Sequence, residues 1–147
     1  MKIAVWNIQR GLPSKIQAIE HLADSSKINI IALTEADSDE DSNVSLCGYD
    51  CFRSPENPAR VVVYCLKDLK VKDMEFCGDI PAVVINSAQC SFGFVYGEFT
   101  ANAYTELRHI VTDKMRCAKL IDFMNWVNLK AKKNCIISGD YNIHWEA

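Results

Sequence analysis

The chain has 147 residues, 49% hydrophobic and 24% charged, with a formal net charge of −3. That length and balance suit one globular domain with a sizeable core and exclude a disordered chain. The acidic balance argues against tight non-specific DNA binding, which needs clustered Lys and Arg, and no apolar run reaches the roughly eighteen residues of a membrane span, so no membrane partner is expected.

Taken in order, residues 2–7 read as a strand whose last side chain is the polar amide of Asn7. No long apolar stretch of signal-peptide type precedes it. After the turn at Gln9-Arg10-Gly11-Leu12-Pro13, Ser14 with Gln17 three residues on matches a capping box and predicts a helix. Ile16, Ile19, Leu22 and Ala23 form its buried stripe. Residues 27–34 are the second strand, so a parallel, right-handed strand–helix–strand unit opens the fold. Glu35 stands at the end of that strand.

An acidic loop over residues 36–45 follows. Its Asp37-x-Asp39-x-Asp41 spacing hints at a calcium loop, but Ser42 and Gly48 occupy the positions where that motif needs Gly and Glu. Residues 49–53, 60–66, 71–76, 82–86 and 91–99 are short strand candidates separated by Pro, Gly, Asn and Asp turns, an antiparallel meander pattern. A long helix is predicted over residues 104–132, with Leu107, Ile110, Val111, Ala118, Ile121, Trp126 and Leu129 along one face. A buried strand at Cys135-Ile136-Ile137-Ser138 then ends at Gly139, and Asp140-Tyr141-Asn142 follows at once.

The seven cysteines are irregularly spaced and include no C-x-x-C pair. They read as small hydrophobes in a reduced, cytoplasmic chain rather than as zinc ligands. The first strand also lacks the G-x-G-x-x-G turn of a dinucleotide-binding protein.

Three strand ends thus carry oxygen-bearing groups: Asn7, Glu35, and Asp140 with Asn142. If the strands run parallel and side by side, these groups meet on one rim. Hard oxygen donors of this kind suit Mg²⁺ bound together with substrate phosphate oxygens, and phosphate-ester hydrolysis needs such charge neutralisation and a positioned water.

In order and spacing, Trp6-Asn7, Leu33-Thr34-Glu35 and Ser138-Gly139-Asp140-Tyr141-Asn142 resemble the three signatures of the endonuclease/exonuclease/phosphatase superfamily, the DNase-I-like proteins. The resemblance implies an α/β fold, a four-layered αββα sandwich of mixed sheets, and a phosphoesterase using Mg²⁺ or Mn²⁺. It implies Glu35 as principal metal ligand, Asn7 as support for the metal and its waters, Asp140 as the group that orients or deprotonates the attacking water, and Asn142 on a phosphate oxygen. Tyr96, in Phe94-Val95-Tyr96, resembles a tyrosine placed near the scissile phosphate. The expected partner is a phosphate-ester substrate, a small ester or nucleic acid.

The chain departs from the pattern at two places. Thr34 stands where many members have Gln, and Gly97-Glu98-Phe99 lacks the Pro and Asn that follow the tyrosine in abasic-site enzymes. The resemblance also implies a further strand pair carrying a late Asp-His motif, which none of His21, His109 and His144 can supply. The expectation is therefore a single domain over residues 1–147, C-terminally truncated, with impaired hydrolysis and self-association through an exposed sheet edge. The rival expectation is a catalytically degenerate relative that serves as a binding or assembly module.

Overall fold

The computed structural model describes residues 1–38, 44–55, 57–76, 80–88, 90–97, 113–131 and 134–141. In chain order these form β1 (Ile3–Asn7), α1 (Leu12–Ser26), β2 (Ile30–Ser38), β3 (Tyr49–Arg53), β4 (Ala59–Leu66), a short 3-10 turn (Lys67–Leu69), β5 (Asp73–Phe76), β6 (Ala82–Asn86), β7 (Ser91–Tyr96), α2 (Asp113–Lys130) and β8 (Cys135–Asp140). One sheet has the order β1-β2-β4-β3 and the other β5-β6-β7-β8. The pairs β1–β2 and β7–β8 are parallel, and the remaining pairs are antiparallel.

Period-two alternation along the central strands builds the layers. On β4, Val61, Val63 and Cys65 face the second sheet, where they meet Val83, Ile85, Phe92 and Phe94. The intervening Val62 and Tyr64 face the opposite way and pack with Leu12, Ile19 and Ala23 of α1. On the far side, Ala82, Val84 and Val95 pack against Phe123 and Val127 of α2. The result is helix, sheet, sheet, helix, as the family resemblance implied. Each fully buried aliphatic or aromatic side chain contributes about 1.5–3 kcal/mol. Burial also pushes the Cys65 thiol up to about 12, so it stays neutral and inert.

The start of α1 differs from the capping-box expectation. The helix begins at Leu12, Gly11 is its N-cap in the left-handed region at φ 74°, and Pro13 sits in the first turn. Ser14 Oγ donates instead to the Gly11 carbonyl at 2.8 Å. The far end closes with a Schellman arrangement, Ile28 N–H to Ala23 O and Lys27 N–H to Asp24 O. That closure drops Ile28 into the α1 core and launches β2 parallel to β1. Lys2 secures the same corner: its Nζ donates to Ser26 O and its backbone N–H to Asn29 Oδ1, both at 2.8 Å.

Two further expectations are corrected. β2 runs on through Glu35 to Ser38, so the acidic loop starts later, and residues 39–43 lie outside the described residues. The middle strands are not one meander: β3 and β4 complete the first sheet, while β5, β6 and β7 form the second. Strand alternation cannot reveal that division, because both sheets bury one face in the same interior.

The face assigned to the long helix holds at Trp126, which packs on the core, but not at Ile121 or Leu129. Within α2, Phe123 and Val127 are buried, whereas Ile121 is 59% and Leu129 83% exposed. Residues 104–112 and 132 of the predicted helix lie outside the described residues. Phe123→Ala is therefore expected to cost about 3–5 kcal/mol, and Leu129→Ala within about 0.5 kcal/mol. Urea denaturation of both variants checks the assignment, and similar losses would contradict it.

Candidate active site

β1 ends at Asn7, and its ladder with β2 continues one step further through Ile8 N–H to Thr34 O at 3.1 Å. β2 then breaks register: a bulge lies between Thr34 and Ser38, and Glu35 takes a left-handed backbone at φ 49°. An L-residue pays about 1–2 kcal/mol for that conformation. It is held there by Arg10 N–H, which donates to the Glu35 carbonyl at 2.8 Å. Bulges commonly re-aim a side chain, and here Glu35 turns towards β1 and the second sheet.

The second sheet supplies the other half. Tyr96 at the end of β7 is in register with Asp140 at the end of β8. Gly97 N–H donates to Asp140 O at 2.6 Å, which fixes the strand end. Gly139 is required immediately before it: a Cβ there would lie 2.0 Å from the Val95 carbonyl oxygen. This explains why glycine interrupts an otherwise ordinary strand.

The side chains converge on Asn7. Its Nδ2 donates to Glu35 Oε1 at 3.0 Å and to Asp140 Oδ2 at 2.8 Å. Its Oδ1 accepts Gln9 N–H at 3.0 Å, which sets which end of the amide faces the carboxylates. Tyr96 OH also donates to Glu35 Oε1, at 3.2 Å. The Arg60 guanidinium lies 5.3 Å from the centroid of the Tyr96 ring, within cation–π range. Beneath them Thr34, 1% exposed, keeps a buried hydroxyl with no hydrogen-bond partner.

Four of the five predicted site residues, Asn7, Glu35, Tyr96 and Asp140, are therefore brought together. Asn142 lies outside the described residues. The rim is not the single parallel one expected: β1 and β2 belong to one sheet and β8 to the other, and the groups meet across the sandwich where β1 lies against β8. Sequence reasoning missed Arg60 and Gln9. Arg60 begins a strand with no motif around it, and Gln9 acts through its backbone, which side-chain identity does not signal.

Two carboxylates, Glu35 and Asp140, form a hard-oxygen donor pair of the kind that divalent cations take, while the Asn7 amide faces them with its nitrogen and turns its oxygen to Gln9 N–H. Among the described residues no cluster of three or more His, Cys, Asp and Glu is present.

No protein-family profile and no curated protein sequence matches the chain. Solved structures do. The chain is similar to the 3′ phosphatase NExo from Neisseria bound to product DNA hairpin, with 19% identity, a TM-score of 0.73, and coverage of 97% of this chain and 58% of that one. It is similar to an AP endonuclease from Archaeoglobus fulgidus, with 15% identity, a TM-score of 0.73, and coverage of 99% and 59%. It is also similar to D. rerio TDP2 complexed with single strand DNA product, with 12% identity, a TM-score of 0.68, and coverage of 97% and 61%. The architecture is the DNase-I-like fold shared with these structures. The chain spans about three-fifths of the length of these structures.

The backbone at Glu35 yields a prediction independent of chemistry. Glu35→Gly and Glu35→Ala both remove the carboxylate, but only glycine accepts φ 49° without strain. The glycine variant is expected to be more stable by about 1 kcal/mol. Thermal denaturation of the pair measures the difference, and an alanine variant of equal or greater stability would contradict the strained geometry.

Proposed function

We propose that this domain is a divalent-metal-dependent phosphoesterase that hydrolyses a phosphodiester or phosphomonoester. One observation carries the reading: Glu35 Oε1 and Asp140 Oδ2 both accept hydrogen bonds from the single nitrogen Asn7 Nδ2. Carboxylates gathered this closely from separate strands suit a shared doubly charged ion. When bound, Mg²⁺ or Mn²⁺ supplies charge neutralisation and a more acidic coordinated water.

The chain's own residues do the rest. Glu35 is the principal ligand, and Asn7 keeps both carboxylates aimed at one point. Asp140 orients the water and takes its proton as the water oxygen bonds to phosphorus and the ester P–O bond breaks, the leaving oxygen keeping the bond's electron pair and taking a proton from solvent. Tyr96 keeps Glu35 in place through its hydroxyl, and its ring lies beside the Arg60 cation. Asn142, two residues after Asp140, is the candidate contact for a phosphate oxygen.

The DNA products named with the neighbouring structures support a nucleic-acid or related phosphate-ester substrate. The acidic balance of the chain favours substrates that do not demand a broad basic surface. Five described cysteines are free thiols, in keeping with a reducing, cytoplasmic setting. A second reading is a binding or assembly module that keeps the scaffold without efficient hydrolysis.

Hydrolysis of bis(p-nitrophenyl) phosphate separates the two. The enzyme reading expects Mg²⁺- or Mn²⁺-dependent turnover that EDTA abolishes and that falls about 10²-fold or more in Glu35→Gln and in Asp140→Asn. Equal rates in all three proteins would overturn it.

Self-association is proposed on separate grounds. β1 and β8 end their sheets in the described residues, and Val5 is 38%, Trp6 40% and Ile136 50% exposed along them. Unpaired, apolar strand edges invite pairing with another chain. Light scattering after gel filtration should show mass rising with concentration, and Ile136→Lys should reduce the rise. A concentration-independent monomer would exclude this association.

A further inference from the structure

The loop joining β1 to α1 runs against the preferences of its residues. Gln9, Arg10 and Gly11 stand in succession at φ 49, 68 and 74°. Only the glycine enters that region freely; for the other two the Cβ crowds the following carbonyl. Three successive left-handed residues need an external hold, and the first turn of α1 provides one. Lys15 Nζ donates to the Ile8 carbonyl and, at 2.8 Å, to the Arg10 carbonyl. These are charge-assisted bonds from one ammonium to two points of the loop, stronger than neutral ones.

The same loop sends two backbone N–H groups into the site. Gln9 N–H holds Asn7 Oδ1 at 3.0 Å, and Arg10 N–H holds the Glu35 carbonyl at 2.8 Å. The first orients the amide that both carboxylates share. The second stabilises the left-handed backbone that aims Glu35. The ammonium of Lys15 thus stands behind both arms of the site without touching either carboxylate.

We infer that Lys15 is a positioning residue: by clamping the Ile8 and Arg10 carbonyls it fixes the loop that sets Asn7 and Glu35 in geometry for a divalent cation. The cation part rests on the phosphoesterase reading above; the clamp itself does not. A plain tether between helix and loop would stabilise the chain without affecting the site. Lys2 provides the matched control, because its Nζ makes the same kind of bond, 2.8 Å to Ser26 O, at the opposite end of α1.

The experiment compares wild type, Lys15→Met, Lys15→Arg and Lys2→Met in the full chain. Amide hydrogen exchange by NMR reads the Gln9 and Arg10 N–H groups and the Asn7 side-chain amide, with no metal present. Mn²⁺ titration then reads the site, with Glu35→Gln as reference. Lys15→Met is expected to speed exchange at these amides about tenfold or more, and to weaken Mn²⁺ binding about tenfold, the usual scale for a residue supporting metal ligands. Lys15→Arg, which keeps the charge and donors, should recover part of both, and Lys2→Met should change neither.

Wild-type exchange in Lys15→Met overturns the clamp. Faster exchange with unchanged Mn²⁺ affinity overturns its role in the site, provided Glu35→Gln weakens binding. If Glu35→Gln leaves Mn²⁺ affinity at the wild-type value, the metal reading falls, while the exchange data still decide the clamp. Should Lys15→Met fail to fold, Lys15→Gln carries the same comparison.

Discussion

One amide nitrogen joins the two sheets at their working end. Asn7 Nδ2 has two hydrogens, and one goes to a carboxylate from each sheet, Glu35 from the first and Asp140 from the second. A neutral double donor between them lets two carboxylates, which would otherwise repel, stand side by side. The placement of β1 follows from the same need. It lies at the edge of its sheet and against β8, where a short side chain can reach across.

The backbone around that amide is where the fold departs from regular geometry. Glu35 is left-handed beside a bulge, Gln9 and Arg10 are left-handed in the adjoining loop, and Gly139 passes too close to Val95 for any side chain. Such departures persist only when the surroundings over-determine them. Here the surroundings are a rigid interior of Ile30, Ala32, Val61, Val63, Phe92 and Phe94, which cannot yield without opening gaps. Regular packing in the middle of the strands thus stabilises irregular backbone at their ends.

The site also lies at the margin of the sandwich rather than in its middle. The strands that carry Asn7 and Asp140 are both edge strands in the described residues, and Val5 and Ile136 along them remain partly open to solvent. That position leaves Asn7, Glu35 and Asp140 partly open to solvent. It also places an edge strand of each sheet, in the described residues, beside these groups.

Much of this was legible beforehand because it rests on local rules. Strand and helix order followed from period-two and period-3.6 alternation, and Asn7, Glu35 and Asp140 stood out as polar groups at the tips of apolar runs, whereas Tyr96 was singled out only by the family resemblance. The capping box misled because Gly11 and Pro13 already satisfy a helix start, so Ser14 became a first-turn residue. The buried face of α2 misled because several apolar residues compete for it, and contact with Ala82, Val84 and Val95 selects Phe123 and Val127. Sequence by itself determined which groups could bind a cation and which elements carry them, since those are properties of side chains and short repeats. Only tertiary structure decided that the middle strands divide between two sheets, that Glu35 turns on a left-handed backbone, and that Lys15 and Arg60 stand behind the site. Each of those depends on contacts between distant segments, and local periodicity carries no information about which distant segments meet.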